Sequence, residues 1–148
     1  MPTYTCTSPA GGLDPDRRAG LAAAITLAHS EVTGAAAGFA QVVFCDVAVG
    51  GFFVGGRPLD GSTLFIRGEI RAGRSARERD RLVARLIADA AEASGLPRHA
   101  IWIYIAELPA RCMAEFGHVL PEPGDEEAWI AALPGEARAR IAGGRPSE

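Results

Sequence analysis

An α/β (α+β) fold is predicted, with two tandem β-α-β units forming one four-stranded mixed sheet, two helices on one face and a C-terminal extension. Three observations carry this. Sliding the chain against itself by 61 positions aligns 16–47 with 77–108 without a gap, so the sequence contains its own duplicate. Leu21 meets Leu82, Ala23 meets Ala84, Ile25 meets Leu86, Glu31 meets Glu92 and Gly34 meets Gly95. Each copy places one stretch with helix-start and helix-stop signals between two β-prone stretches. The chain is also long enough, at 148 residues, to bury one core without disulfides or a metal. We therefore expect a single domain over 1–148: repeat one 2–47, linker 48–61, repeat two 62–108 and extension 109–148.

Pro2–Ser8 is the first β-prone stretch. Asp14-Pro15-Asp16 then supplies an N-cap, a proline at the first helical position and an acidic first turn. From there a helix is expected to about Val32, because Leu21, Ala24, Ile25, Ala28 and Val32 recur at helical spacing and Gly34 stands just past the end as a C-cap. Phe39–Asp46 is the second strand. The segment 48–61, with five glycines, reads as the linker.

In the second copy, Thr63–Arg71 alternates Leu64, Ile66 and Ile70 against Phe65, Arg67, Glu69 and Arg71, as a two-faced strand should. Ser75-Ala76-Arg77-Glu78 is a capping box opening a helix to about Ser94, which Gly95-Leu96-Pro97 stops. Ile101–Leu108, rich in β-branched and aromatic residues, is the fourth strand. After Pro109 the extension carries Pro121, Pro123 and a short helical stretch near Glu126–Leu133, suited to packing on a neighbouring subunit.

Strand-helix-strand units join parallel strands by right-handed crossovers. If a pseudo-two-fold axis relates the halves, they run antiparallel, and Pro2 comes towards Arg71 and Arg74. The helices cover one sheet face. The other, partly apolar, needs a partner, which predicts an oligomer.

Composition excludes several function classes. A 48% hydrophobic, 22% charged chain of formal charge −3 gives no electrostatic reason to bind nucleic acid or an anionic membrane. No apolar run spans a bilayer and no signal peptide opens the chain, so a cytoplasmic location is expected. Cys6, Cys45 and Cys112 show no metal spacing and read as buried thiols, and neither a metal nor a cofactor is expected. All fifteen basic residues are arginine. The absence of lysine removes Schiff-base and Walker-type chemistry, leaving anion binding to Arg.

Several residue types stand out as chemistry. A small residue at position 2 favours removal of Met1, which would leave Pro2 as a secondary amine. Desolvation and nearby arginines would make that amine a base near neutrality, whereas a nearby carboxylate would hold it protonated as an acid. Arg71 and Arg74, three residues apart, lie where their forks could converge on one small carboxylate. Two readings stay open for His29, at the edge of the first helix's apolar face: a buried, satisfied histidine or a site residue. Tyr104 and Glu115 stand similarly between packing or exposure and the site. Phe39, Phe116 and Trp102 read as core or pocket wall, and His99 and His118 have no convincing partner.

Met-Pro followed by a strand, the sixty-residue duplication and the set His29, Arg71, Arg74, Tyr104 and Glu115 together resemble the cis-3-chloroacrylic acid dehalogenase group of the tautomerase superfamily. Shared stretches include Ala28-His29, Ala40-Gln41-Val42, Arg71-Ala72-Gly73-Arg74-Ser75, Ile101-Trp102-Ile103-Tyr104, and Glu115-Phe116-Gly117 followed by Leu120-Pro121-Glu122-Pro123-Gly124. The resemblance covers nearly the whole chain and implies a homotrimer with its active sites around the N-terminal prolines. It implies that Arg71, Arg74 and His29 bind the carboxylate of a small unsaturated or 2-oxo acid. Glu115 and Tyr104 would activate water, and Pro2 would move the proton. The implied activity is weak hydration or dehalogenation of substrates such as cis-3-chloroacrylate, with keto-enol tautomerisation of phenylpyruvate-like compounds. The alternatives are a tautomerase of another substrate or a non-catalytic trimeric binding or signalling protein. The chain departs from the group at Ala35, Phe39, Phe116 and His118, positions that bear on dehalogenation.

Overall fold

The computed structural model describes residues 2–59 and 63–143. Met1 and its expected removal, the last two linker positions, the first position of repeat two and the end of the extension lie outside the described residues. The chain runs β1 (Thr3–Pro9), α1 (Pro15–Thr33), β2 (Gln41–Val47), β3 (Phe53–Val54), β4 (Arg57–Pro58), β5 (Leu64–Arg71), α2 (Ala76–Ser94), β6 (Ile101–Leu108), β7 (Ala114–Glu115), β8 (His118–Val119), α3 (Glu126–Ala132) and α4 (Gly135–Gly143).

Local signals set the helix ends. The Asp14 side chain accepts from the Arg17 N–H with Pro15 in the first turn, and α1 stops at Gly34, whose φ of 73° is left-handed. Ser75 and Glu78 form the reciprocal capping box of α2, which stops at Gly95 with φ 71°. Replacing such a cap by alanine costs about 1 kcal/mol.

The main sheet has strand order β2-β1-β5-β6. β1 pairs parallel with β2 and β5 parallel with β6, while β1 and β5 run antiparallel in a register that sets Thr3 against Glu69 and Tyr4 against Gly68. Side chains alternate across the sheet, so Tyr4, Cys6, Leu64, Ile66 and Ile70 meet Leu21, Ile25, Ala28, Leu82, Leu86 and Ala90 of the two helices in one core. The opposite face carries Val43, Trp102 and Tyr104, all exposed in the single chain.

Contacts repeat with the sequence. Arg18 of α1 pairs with Asp46 of β2, and the corresponding Arg79 of α2 pairs with Glu107 of β6. The Thr33 and Ser94 hydroxyls each donate to the carbonyl four residues earlier and accept an N–H two residues later.

Five expectations need correction. Segment 48–61 contains the β3–β4 hairpin, in which Phe53 faces Pro58; its many glycines hide two-residue strands from any periodicity. Phe39 belongs to a 3-10 turn, Ala37–Phe39, and β2 begins at Gln41, because that turn redirects the chain into the sheet. Cys45 and Cys112 are exposed, only Cys6 being buried, since Cys45 lies on the uncovered face. Trp102 is likewise on that face rather than in the core. Arg71, expected opposite the buried face of β5, is itself buried because the extension folds over the strand's end.

The extension also contains α4 beyond the expected α3. Leu133, Ala137 and Ile141 pack with Phe39 of the same chain, and Phe116, Trp129 and Ile130 lean on that cluster. Gly38 permits this: a Cβ there would stand 2.2 Å from the Ile141 carbonyl oxygen. Among the described residues no helix is long and apolar enough to cross a membrane.

Candidate active site

The start of β1, the end of β5 and the C-terminal end of α1 meet at one end of the sheet, and the extension closes over them. A cavity of about 480 Å³ opens there, lined by Thr33–Ala36, Phe39, Arg71, Arg74, Pro121, Glu126, Glu127, Trp129 and Ile130.

Pro2 is fully buried just ahead of β1, and its carbonyl accepts from the Gln41 N–H. Two residues on, Tyr4 points to the same face. Its hydroxyl lies 2.8 Å from His29 Nδ1, with the rings edge to face. Burial raises the phenol above its ordinary value, keeping it protonated. His29 is also buried. Desolvation, then the positive charge at the chain's N-terminus and Arg74, push its pKa down to about 3, so the ring is neutral at pH 7. When Tyr4 donates to Nδ1, the ring carries its proton on Nε2 and presents one donor for a ligand oxygen.

Gly68 makes room for this pair. A Cβ at that position of β5 would stand 2.5 Å from Tyr4 Cε1 and 2.8 Å from Ile105 Cδ1.

Arg74 sits in the β5–α2 connection, held from three sides. Its Nη1 donates to the Thr33 carbonyl at 3.1 Å, its N–H reaches Glu107 Oε1 at 3.4 Å, and its carbonyl accepts from Arg79 Nη1 at 2.6 Å. Glu107 Oε2 accepts from the same Arg79 nitrogen, so the repeat-related ion pair clamps the loop that carries Arg74. Arg71 points into the same cavity, but its fork is occupied. Nη1 donates to the Pro121 carbonyl at 2.7 Å and Nη2 to Glu126 Oε1. Both arginines thus line one cavity, but their forks do not converge on one point: Arg74 holds the Thr33 carbonyl while Arg71 holds the Pro121 carbonyl and Glu126.

Glu115 is half-buried on the β7–β8 hairpin, not in an open loop. Burial raises its carboxyl above the usual range, partly offset by the positive charge at the chain's N-terminus. The hairpin turns through Phe116 and Gly117, with φ of 51° and 80°. A non-glycine residue in that region costs on the order of 1 kcal/mol, offset here as the Phe116 ring packs on the Phe39 cluster.

Tyr104 is not brought to this group within one chain. It lies on the uncovered face of β6, 63% exposed, opposite Arg67 and edge to face with Phe65 at 5.0 Å. The sheet itself separates it from Pro2. Of the expected wall residues, Phe39 lines the cavity and Phe116 backs it. Tyr4, Glu126 and Trp129 escaped the sequence reading. Tyr4 had a usable signal, its place two residues after Pro2 on the same strand face.

The family model for the putative oxalocrotonate tautomerase enzyme matches residues 1–132. The crystal structure of N1, a member of the cis-3-chloroacrylic acid dehalogenase (cis-CaaD) family, is 34% identical, with TM-score 0.90 over 95% of this chain and 99% of that one. A native fused 4-OT is 26% identical, with TM-score 0.73 over 79% of this chain and 94% of that one. A fused 4-OT solved as an asymmetric trimer shares the fold at 21% identity, with TM-score 0.73 over 79% and 94%. None of the curated proteins matches.

Proposed function

The chain belongs to the tautomerase superfamily and is cis-CaaD-like, and from that premise we propose that it is a cofactor-independent enzyme acting on small unsaturated or 2-oxo carboxylates. The observation that carries this is a cavity lined by Arg71 and Arg74, with Arg74 acting electrostatically on a buried, neutral His29; the Glu115 carboxyl, raised by burial, supports it.

In the hydration reaction, Arg71 and Arg74 hold the carboxylate and draw electron density from C3, and His29 Nε2 donates to a carboxylate oxygen. Glu115 takes a proton from water as the oxygen bonds to C3, and the Pro2 ammonium protonates C2. With a cis-3-chloro substituent the adduct loses chloride from C3 and the proton of its new hydroxyl to solvent, leaving malonate semialdehyde. The shift at Glu115 brings its basicity closer to neutral pH, which suits a general base. Tyr104 joins this chemistry only from the partner subunit, because its own sheet stands between it and Pro2. A homotrimer burying the face of Val43, Trp102 and Tyr104 supplies that arrangement.

The second activity is keto-enol tautomerisation, with unprotonated Pro2 as the base. Phe39 and Trp129, with ring centroids 6.4 Å apart, favour it for aryl 2-oxo acids, since the cavity exceeds what a three-carbon acid fills.

The test uses protein whose intact mass shows Met1 removed. Incubation with cis-3-chloroacrylate and propiolate, followed by proton NMR, should yield malonate semialdehyde, and phenylpyruvate turnover should rise with pH as the amine deprotonates. Product formation no greater than that of Pro2→Ala in both assays would leave a trimeric binding protein as the better reading.

A further inference from the structure

Arg71 is 7% exposed, and its guanidinium is only partly satisfied. Nη1 has the Pro121 carbonyl and Nη2 has one oxygen of Glu126, while Nε is buried with no hydrogen-bond partner among the described residues. Nε and Nη2 form the side-on fork of an arginine, the face that matches both oxygens of one carboxylate. Glu126 does not fill it: its second oxygen, Oε2, is turned to the Gly124 N–H at 2.8 Å, and Nε is left without a partner. An isolated buried N–H has lost its hydration with nothing in exchange. The arginine is thus engaged by a carboxylate that satisfies half of its fork.

The helix that delivers Glu126 is anchored at its far end, where Trp129 and Ile130 pack on the Phe39 cluster, and open in its first turn. None of the seven residues of α3 is fully buried, its N-cap Asp125 makes no side-chain capping bond, and the Glu126 side chain is 44% exposed. Glu126, Glu127, Trp129 and Ile130, all from α3, line the cavity beside Arg71 and Arg74. One element therefore both walls the cavity and occupies its buried cation.

We propose that Glu126 is a resident competitor for the anion site: a carboxylate ligand binds by displacing it from Arg71 and completing the Nε–Nη2 fork. This rests on the reading of Arg71 as the carboxylate ligand. The exchange swaps one ion pair for another that also satisfies Nε, and it frees Glu126 to water. It favours ligands with an unhindered, fully ionised carboxylate over neutral acids and esters. It also makes α3 a gate whose position reports occupancy.

Sodium propionate, a saturated acid that cannot be hydrated, is the probe. Calorimetric titration should show Glu126→Gln binding it about five- to tenfold more tightly than the unaltered trimer, as expected for removing a half-exposed ion pair worth roughly 1 kcal/mol. In the unaltered protein, propionate should shift the indole N–H resonance of Trp129, whose Nε1 donates to the Val119 carbonyl, and leave that of Trp102 in place. Equal or weaker binding by Glu126→Gln, or a silent Trp129, overturns the proposal even if Arg71→Lys abolishes binding, which would leave the carboxylate site itself standing. Unchanged binding by Arg71→Lys instead overturns the reading of Arg71 on which the proposal rests.

Discussion

Replacing His29 by glutamine should flatten the acid side of the stability profile by an amount the site geometry sets. In the folded protein His29 is buried against Tyr4 and its pKa is pushed down to about 3, whereas an unfolded chain takes up that proton near the ordinary histidine value of about 6.5. Between those values the unfolded state binds a proton the folded state refuses, so stability falls as pH drops below 6.5 and levels only near 3. From pH 7 to pH 5 the linkage amounts to about 2 kcal/mol. Glutamine keeps an acceptor for the Tyr4 hydroxyl but cannot titrate. Urea unfolding followed by far-ultraviolet circular dichroism, at one protein concentration and both pH values, measures the difference. Glu115 works in the opposite sense, since its raised pKa gives stability that is lost as pH rises through the folded value, but it is common to both proteins and cancels. The unaltered protein should lose about 2 kcal/mol more than His29→Gln over this interval. Equal losses would mean that His29 is hydrated and protonates in place, and the neutral-donor role assigned to it would fall.

Other substitutions probe neighbouring contacts. Gly68→Ala drives a Cβ into Tyr4 and Ile105, and should cost about 1–3 kcal/mol by thermal unfolding and move the imidazole nitrogen shifts of His29 as the Tyr4 hydroxyl leaves. Gly38→Ala meets backbone rather than a flexible side chain at Ile141, so it should undock α4 and speed proteolysis within 133–143 while the sheet core keeps its melting transition. Glu107→Gln loosens the clamp on the Arg74 loop and should raise KM for phenylpyruvate more than it lowers kcat, with a stability change below about 1 kcal/mol because the ion pair is partly exposed.

What the sequence disclosed depended on the range of the forces involved. The α2 ends and the span of β6 follow from a capping box, a glycine and a run of β-branched residues, all within a few positions, and the structure places them where those signals lie. The antiparallel meeting of the halves followed from the duplication, and it brings Pro2 to the end of β5 as expected. The partners of Arg71 lie 50 and 55 residues away in a segment without strong periodicity, so neither Pro121 nor Glu126 was legible as its neighbour. α4 was missed for a similar reason: it is short, starts and ends at glycine, and offers only Ala137 and Ile141 as a buried stripe. Tyr104 is legible as a site candidate, and so is the face it occupies. The alternation of Ile101, Ile103 and Ile105 against Trp102 and Tyr104 already assigned it away from Pro2.

The duplication also accounts for a single candidate site per chain. Moving by 61 positions turns Pro2 into Thr63, His29 into Ala90, Ala10 into Arg71 and Leu13 into Arg74. The site draws its proline and histidine from the first copy and its arginines from the second, because antiparallel packing of the copies brings the start of one to the end of the other. The pseudo-symmetric place at the opposite end would need Thr63 and Ala90 with Ala10 and Leu13, a set with neither amine nor cation. What occupies that end is an apolar cavity of about 320 Å³ among Pro9, Ala10, Val47–Gly50, Phe52 and Leu59. The ion pairs show the same divergence. Asp46 only grips Arg18, whereas Glu107, one methylene longer, grips Arg79 and also reaches the Arg74 N–H. Glu107→Asp should therefore keep the pair with Arg79 but release the Arg74 loop, separating support of the fold from support of the site, and an unchanged KM for phenylpyruvate would show that the extra reach has no role there.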